Sequence, residues 1–104
     1  MNKIVIIKYL TDKGIAPECS GFPFLVDAID LLINQRKTYQ YNTMKVYKEV
    51  GRLHEKTDAA IERCIRYAIK KAGHNCTCGR FLARSVIDME FKYAADMREG
   101  VTND

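Results

Sequence analysis

The sequence has little that divides it: no internal repeat, no low-complexity tract, no Pro/Ser-rich linker, and two prolines, Pro17 and Pro23, both in an early turn region. A single domain over residues 1–104 is therefore expected, at a length near that of an independently folding core. Long hydrophobic runs are also missing. Ile4 to Ile7 is too short to cross a bilayer, and the apolar stretch from Phe22 to Ile33 is broken by Asp27 and Asp30. Met1 to Leu10 carries one early lysine and a brief apolar run without a small-residue cleavage site after it. It does not read as a secretory signal, so a cytoplasmic location without membrane contact is expected.

The chemistry of common enzyme sites is absent too. There is no Ser/His/Asp order, glycine-rich phosphate loop or pair of carboxylates in a catalytic context, which points away from an enzyme and from any cofactor. Cys19, Cys64, Cys76 and Cys78 form no regular disulfide framework, and they are read as reduced thiols. His74-Asn75-Cys76-Thr77-Cys78, with His54 elsewhere, offers zinc-binding residue types. The C-x-C spacing and the lack of a second pair depart from structural zinc sites, and no metal is expected. Cys64 is read as a small hydrophobe.

What is present is a packed-core composition, 47% hydrophobic and 29% charged, with an uneven charge distribution. Residues 36–84 hold twelve Lys or Arg against four acidic residues, whereas the segments before and after are net acidic. The net charge of +4 is thus concentrated where an anionic partner would be met.

Apolar spacing predicts an all-α bundle of about six helices. Ile4, Ile7 and Leu10 suggest a short helix ended near Gly14, and Phe22 to Ile33 a buried central helix. A turn of helix fits within Gln35 to Asn42. Met44, Tyr47, Val50 and Leu53 form one stripe of an amphipathic helix. Thr57 is a good N-cap for a helix in which Ile61, Cys64, Ile65, Ala68, Ile69 and Ala72 recur at three- and four-residue steps before Gly73. Phe81 to Val86 and Ile87 to Glu99 are predicted as two further helices. Tyr39, Tyr41 and Tyr47 raise single-strand base stacking, but the helical architecture offers no sheet platform, and they are read as core and surface filler.

Two amphipathic helices joined by about three residues, the second one basic, match a helix-turn-helix over residues 43–72, whose second helix enters the major groove. With the apolar stripe inward, Ala59, Ala60, Arg63, Arg66, Tyr67 and Lys70 face outward from the second helix, whose first turn opens at Thr57 and Asp58. Arg63 suits guanine because a guanidinium presents paired donors, and Arg66 and Lys70 suit phosphates. Lys45, Lys48, Arg52 and Lys56 would flank the groove as phosphate contacts. The same cations could equally be ordinary solvated helix faces.

The segments Tyr47 to Thr57 and Ile61-Glu62-Arg63-Cys64-Ile65-Arg66-Tyr67-Ala68-Ile69 resemble the helix-turn-helix of the C-terminal effector domain of the stage 0 sporulation protein A family of response regulators. Gly14-Ile15-Ala16-Pro17 to Gly21, Phe22 to Ile29, and Glu90-Phe91 to Arg98 extend the resemblance over nearly the whole chain, most weakly from Gly73 to Asp88. It implies a six-helix fold, a spore-forming bacterial source and sequence-specific binding to double-stranded promoter DNA, with a DNA role for Glu62, Arg63 and Arg66. It also leaves room for contact with RNA polymerase. Ala60 stands where the family has an arginine expected to read guanine, Tyr67 where it has a histidine, and His54 where it has an aromatic, which implies a packing role for His54 in the turn. The sequence leaves no room for the receiver domain that precedes the family's effector domain, so control by expression level, a partner or self-association is expected, with a homodimer on DNA. The alternative of another class is a protein-interaction module that keeps the fold, has lost base reading, and acts on a related regulator or on polymerase.

Overall fold

The computed structural model describes the backbone of residues 2–39 and 42–102, with side chains in the last helix described as far as Phe91. Its elements are α1 (Lys3–Asp12), α2 (Gly21–Asn34), α3 (Arg36–Tyr39), α4 (Thr43–His54), α5 (Asp58–Lys71) and α6 (Cys78–Thr102), all helical, with no strand among the described residues. The fold is an all-α bundle.

α2 lies at the centre. It buries Phe22, Phe24, Leu25, Val26, Ala28, Ile29, Leu31 and Leu32, apolar on more than one side because other helices cover it on several sides. α1, α4, α5 and α6 all pack on it. Pro23 is tolerated because it falls in the first turn, where a missing N–H removes no helical bond. Gly14 ends α1 with φ +85°, a left-handed conformation glycine adopts without strain. The loop after it buries Ile15 and Cys19.

Three details differ from the sequence reading. In α1 the buried residues are Ile6 and Leu10, while Ile4 is 71% exposed and Ile7 is also exposed. A threefold spacing read from Ile4 misses that α1 rests on α2 along a narrow line that two residues fill. In α4 the buried face is Val46, Tyr47, Val50 and Gly51, and Met44 and Leu53 are 57% and 49% exposed. Glycine carries no hydropathy signal, so Gly51, on which the next turn lies, was invisible to an apolar stripe. The two helices expected after Phe81 are one continuous helix, α6, because nothing between Val86 and Ile87 breaks it. Tyr39 and Tyr47 are buried as filler; Tyr41 lies outside the described residues.

The turn between α4 and α5 is built by close backbone approach. Lys56 N–H donates to the Gly51 carbonyl at 2.8 Å, and a Cβ on Gly51 would stand 2.4 Å from the Lys56 carbonyl oxygen. Gly21, at the start of α2, is as tight against α5: its Cβ would stand 2.2 Å from the Cys64 carbonyl oxygen. Glu55 caps α4 at φ 57°, a left-handed conformation that costs a residue with a Cβ about 1 kcal/mol.

Gly51→Ala is expected to destabilise the protein by about 2 kcal/mol or more, because the atom it meets is backbone and cannot swing aside. Glu55→Gly should be neutral to stabilising by up to about 1 kcal/mol, relief of strain being offset by glycine's greater freedom when unfolded. Thermal melts followed by circular dichroism check both. A Gly51→Ala protein as stable as the parent would contradict the close approach.

Candidate nucleic-acid interface

The interface is assembled from α4, the turn 55–57 and α5. α4 starts at Asn42, whose side-chain oxygen accepts from the Lys45 N–H at 3.3 Å. α5 starts at Thr57, whose hydroxyl accepts from the Ala60 N–H at 3.1 Å, with Asp58 in the positive first turn as expected. Ile61, Ile65, Ala68 and Ile69 anchor α5 in the core, as their spacing predicted. Cys64 packs partly buried at the edge of that core.

With that face fixed, the opposite face is exposed. Lys45, Lys48, Arg52, Lys56, Thr57, Ala59, Arg63, Arg66, Tyr67 and Lys70 are exposed, and Asp58, Ala60 and Glu62 are half-buried. Arg63 and Lys70 are seven residues apart, so they stand on one line of the helix separated by about 10 Å. Neither has a carboxylate partner among the described residues, and the same holds for Lys45, Lys48 and Lys56. Other cations are engaged. Arg52 donates twice to Glu49, at 2.9 and 2.6 Å, which lowers the Glu49 carboxyl below its ordinary value. Arg66 pairs with Glu62 at 3.4 Å. Lys71, which the sequence reading left out, places its ammonium 5.9 Å from the centre of the Tyr67 ring, the one-turn spacing that could have found it. Met44 was also missed as a surface residue. With Tyr47 it forms one wall of a shallow groove of about 480 Å³ whose other wall is Asp58, Ala59, Glu62, Arg63 and Arg66.

Beneath this surface, polar contacts hold the pair in place. His54 Nε2–H donates to Asp27 Oδ2 at 2.6 Å, and its ring meets Phe24 edge-on at 4.8 Å, so the end of α4 is tied to α2 by packing and by a hydrogen bond. Lys3 of α1 reaches the other Asp27 oxygen at 3.0 Å. Cys78, at the start of α6, directs its thiol toward Glu62 Oε1 at 3.7 Å and the Glu62 carbonyl at 3.9 Å. Burial, with the Glu62 charge adding to it, pushes the Cys78 thiol up to about 11, and burial raises Tyr47 beside it. All four cysteines are free. Among the described residues, no group of three or more His, Cys, Asp and Glu is placed to hold a metal; the His74 imidazole instead contacts the Lys13 carbonyl at 2.7 Å.

Two helices packed on one another, joined by a three-residue turn, with an exposed cationic face on the second, form a helix-turn-helix. Residues 6–95 match the family described as Sporulation initiation factor Spo0A C terminal, and the chain belongs to this family of DNA-binding regulator domains, which is not a family of enzymes. No curated protein matches the chain. No helix among the described residues is long and apolar enough to cross a membrane.

Cys78 and Tyr47 bind their protons more tightly folded than unfolded. The Cys78 contribution is therefore fully present below about pH 9, the ordinary thiol value, and is lost as pH rises through about 11; the Tyr47 contribution begins to fall only above about pH 10, the ordinary phenol value. The melting temperature is expected to fall across that window, and to fall less in Cys78→Ala. A melting temperature indifferent to pH there would show that the thiol is not buried against Glu62.

Proposed function

We propose that the chain is a sequence-specific double-stranded-DNA-binding transcription regulator, acting as one cytoplasmic domain, whose α5 is the recognition helix. The observation that carries this reading is Arg63: exposed, without a carboxylate partner among the described residues, and opposite the buried stripe of a helix whose position is fixed by the core. An unengaged guanidinium on the outer line of such a helix is free to donate to both guanine acceptors, O6 and N7. Lys70, two turns further on, and Lys45, Lys48, Arg52 and Lys56 on α4 and the turn supply phosphate contacts; Thr57 and Asp58 set the helix start beside them. Glu62 is restrained by Arg66 and Cys78, so it works mainly to orient Arg66 toward the backbone.

Ala60 is half-buried over the cap of α5 and offers no hydrogen bond to a base from its side chain. The chain thus reads a site that differs from its relatives' at that position, with discrimination there lower by about 1–3 kcal/mol. Tyr67, with Lys71 across its ring, gives the neighbouring position an aromatic surface and a cation. Binding as a homodimer to paired half-sites of promoter DNA, with contact to RNA polymerase, completes the proposal.

Fluorescence anisotropy with duplexes selected from a random library, at low and near-physiological salt, tests it. Affinity should fall steeply with salt as counterions are released. Arg63→Ala should weaken the selected duplex by about 1–3 kcal/mol and relax preference at one base pair, whereas Lys70→Ala should weaken all duplexes alike and reduce the salt slope by about 1. Equal effects of both variants on every sequence would contradict direct readout by Arg63. No duplex affinity at any salt would favour the protein-interaction module.

A further inference from the structure

Met44 is an apolar side chain out of place. An amphipathic helix normally turns its methionines to the core, yet Met44 is 57% exposed at the first turn of α4, with the exposed cations Lys45 and Lys48 beside it on the same helix. It is not isolated, because it shares the groove between the two helices with exposed Ala59, in the first turn of α5, and with Arg63 one turn along. The groove is therefore apolar at Met44 and Ala59, while Arg63 on its α5 wall supplies a donor pair.

Resting on the reading of α5 as a recognition helix, we propose that Met44 and Ala59 form a thymine-methyl pocket, which specifies a thymine next to the base pair read by Arg63. The occupant follows from charge and shape. Asp58 and Glu62 also line the groove, but Glu62 is paired with Arg66. The exposed charges in and beside it, Lys45, Lys48, Arg63 and Arg66, are cationic, which suits duplex DNA; the thymine C5 methyl is the apolar group that the major groove displays. Ala59 stands at the helix start, which approaches base edges in a helix-turn-helix, and the flexible methionine thioether can close over a methyl from the α4 side. Met44 contributes no hydrogen bond, so its role is specificity by apolar contact.

The experiment takes the tightest duplex recovered by library selection and replaces each thymine in turn with deoxyuridine, which removes only the C5 methyl, and reads affinity by anisotropy competition. One thymine per half-site is expected to show a loss of about three- to tenfold on replacement. Met44→Ala should bind the thymine duplex about as weakly as the parent binds the uracil duplex, and should no longer distinguish the two. Circular dichroism melts of Met44→Ala should match the parent, since the side chain is outside the core. A selected motif with no thymine sensitive to replacement, or a Met44→Ala protein as sensitive as the parent, would overturn the pocket while leaving sequence-specific binding intact. Failure of the library to yield any motif would overturn the recognition-helix reading itself.

Discussion

α5 stands where it does because two residues have no side chain. Gly21 lets the start of α2 meet the backbone of α5 at Cys64, and Gly51 lets the turn fold onto α4 at Lys56. Both contacts are backbone against backbone, and neither can be relaxed by a rotamer change. Between them they set the distance of α5 from the core and its angle to α4. Ile61, Ile65, Ala68 and Ile69 then fill the remaining space, and the exposed line of Arg63 and Lys70 follows from geometry alone.

Two carboxylates reinforce this placement. Asp27 on the central helix holds Lys3 of α1 with one oxygen and His54 at the end of α4 with the other, so three helices meet at one carboxylate. Glu62 on α5 sits between Arg66, on the surface, and the Cys78 thiol beneath. The first contact fixes the end of the helix before the turn; the second restrains the helix after it. A surface fixed in this way would lose little freedom on binding, which suits the selective contacts with duplex DNA proposed for it.

Much of this was legible in the sequence. Thr57 as a cap, the α5 stripe and the three-residue turn follow from local rules that tertiary packing did not override. A packing role for His54 came from the family resemblance and not from local pattern, and its tie to Asp27 joins residues far apart in the chain and has no sequence signal. The faces of α1 and α4 were harder, since a weak apolar pattern leaves the helix free to rotate by a residue. In α4 the decision rests on Gly51, whose contribution is the absence of a side chain. That rotation brings Met44 to the surface. The continuity of α6 was hidden for a related reason: apolar spacing marks which face is buried, but a helix end needs a breaker, and none stands between Val86 and Ile87.

The central claim is that α5, held by α2 and α4, is the face that meets duplex DNA. Backbone amide chemical-shift mapping by NMR, as a selected duplex is titrated into labelled protein, tests it most directly. The account predicts the largest changes from Thr57 to Lys70 and at the first turns of α4, with α1 nearly silent. Changes centred on α1 and the first turns of α6, with α5 undisturbed, would contradict it.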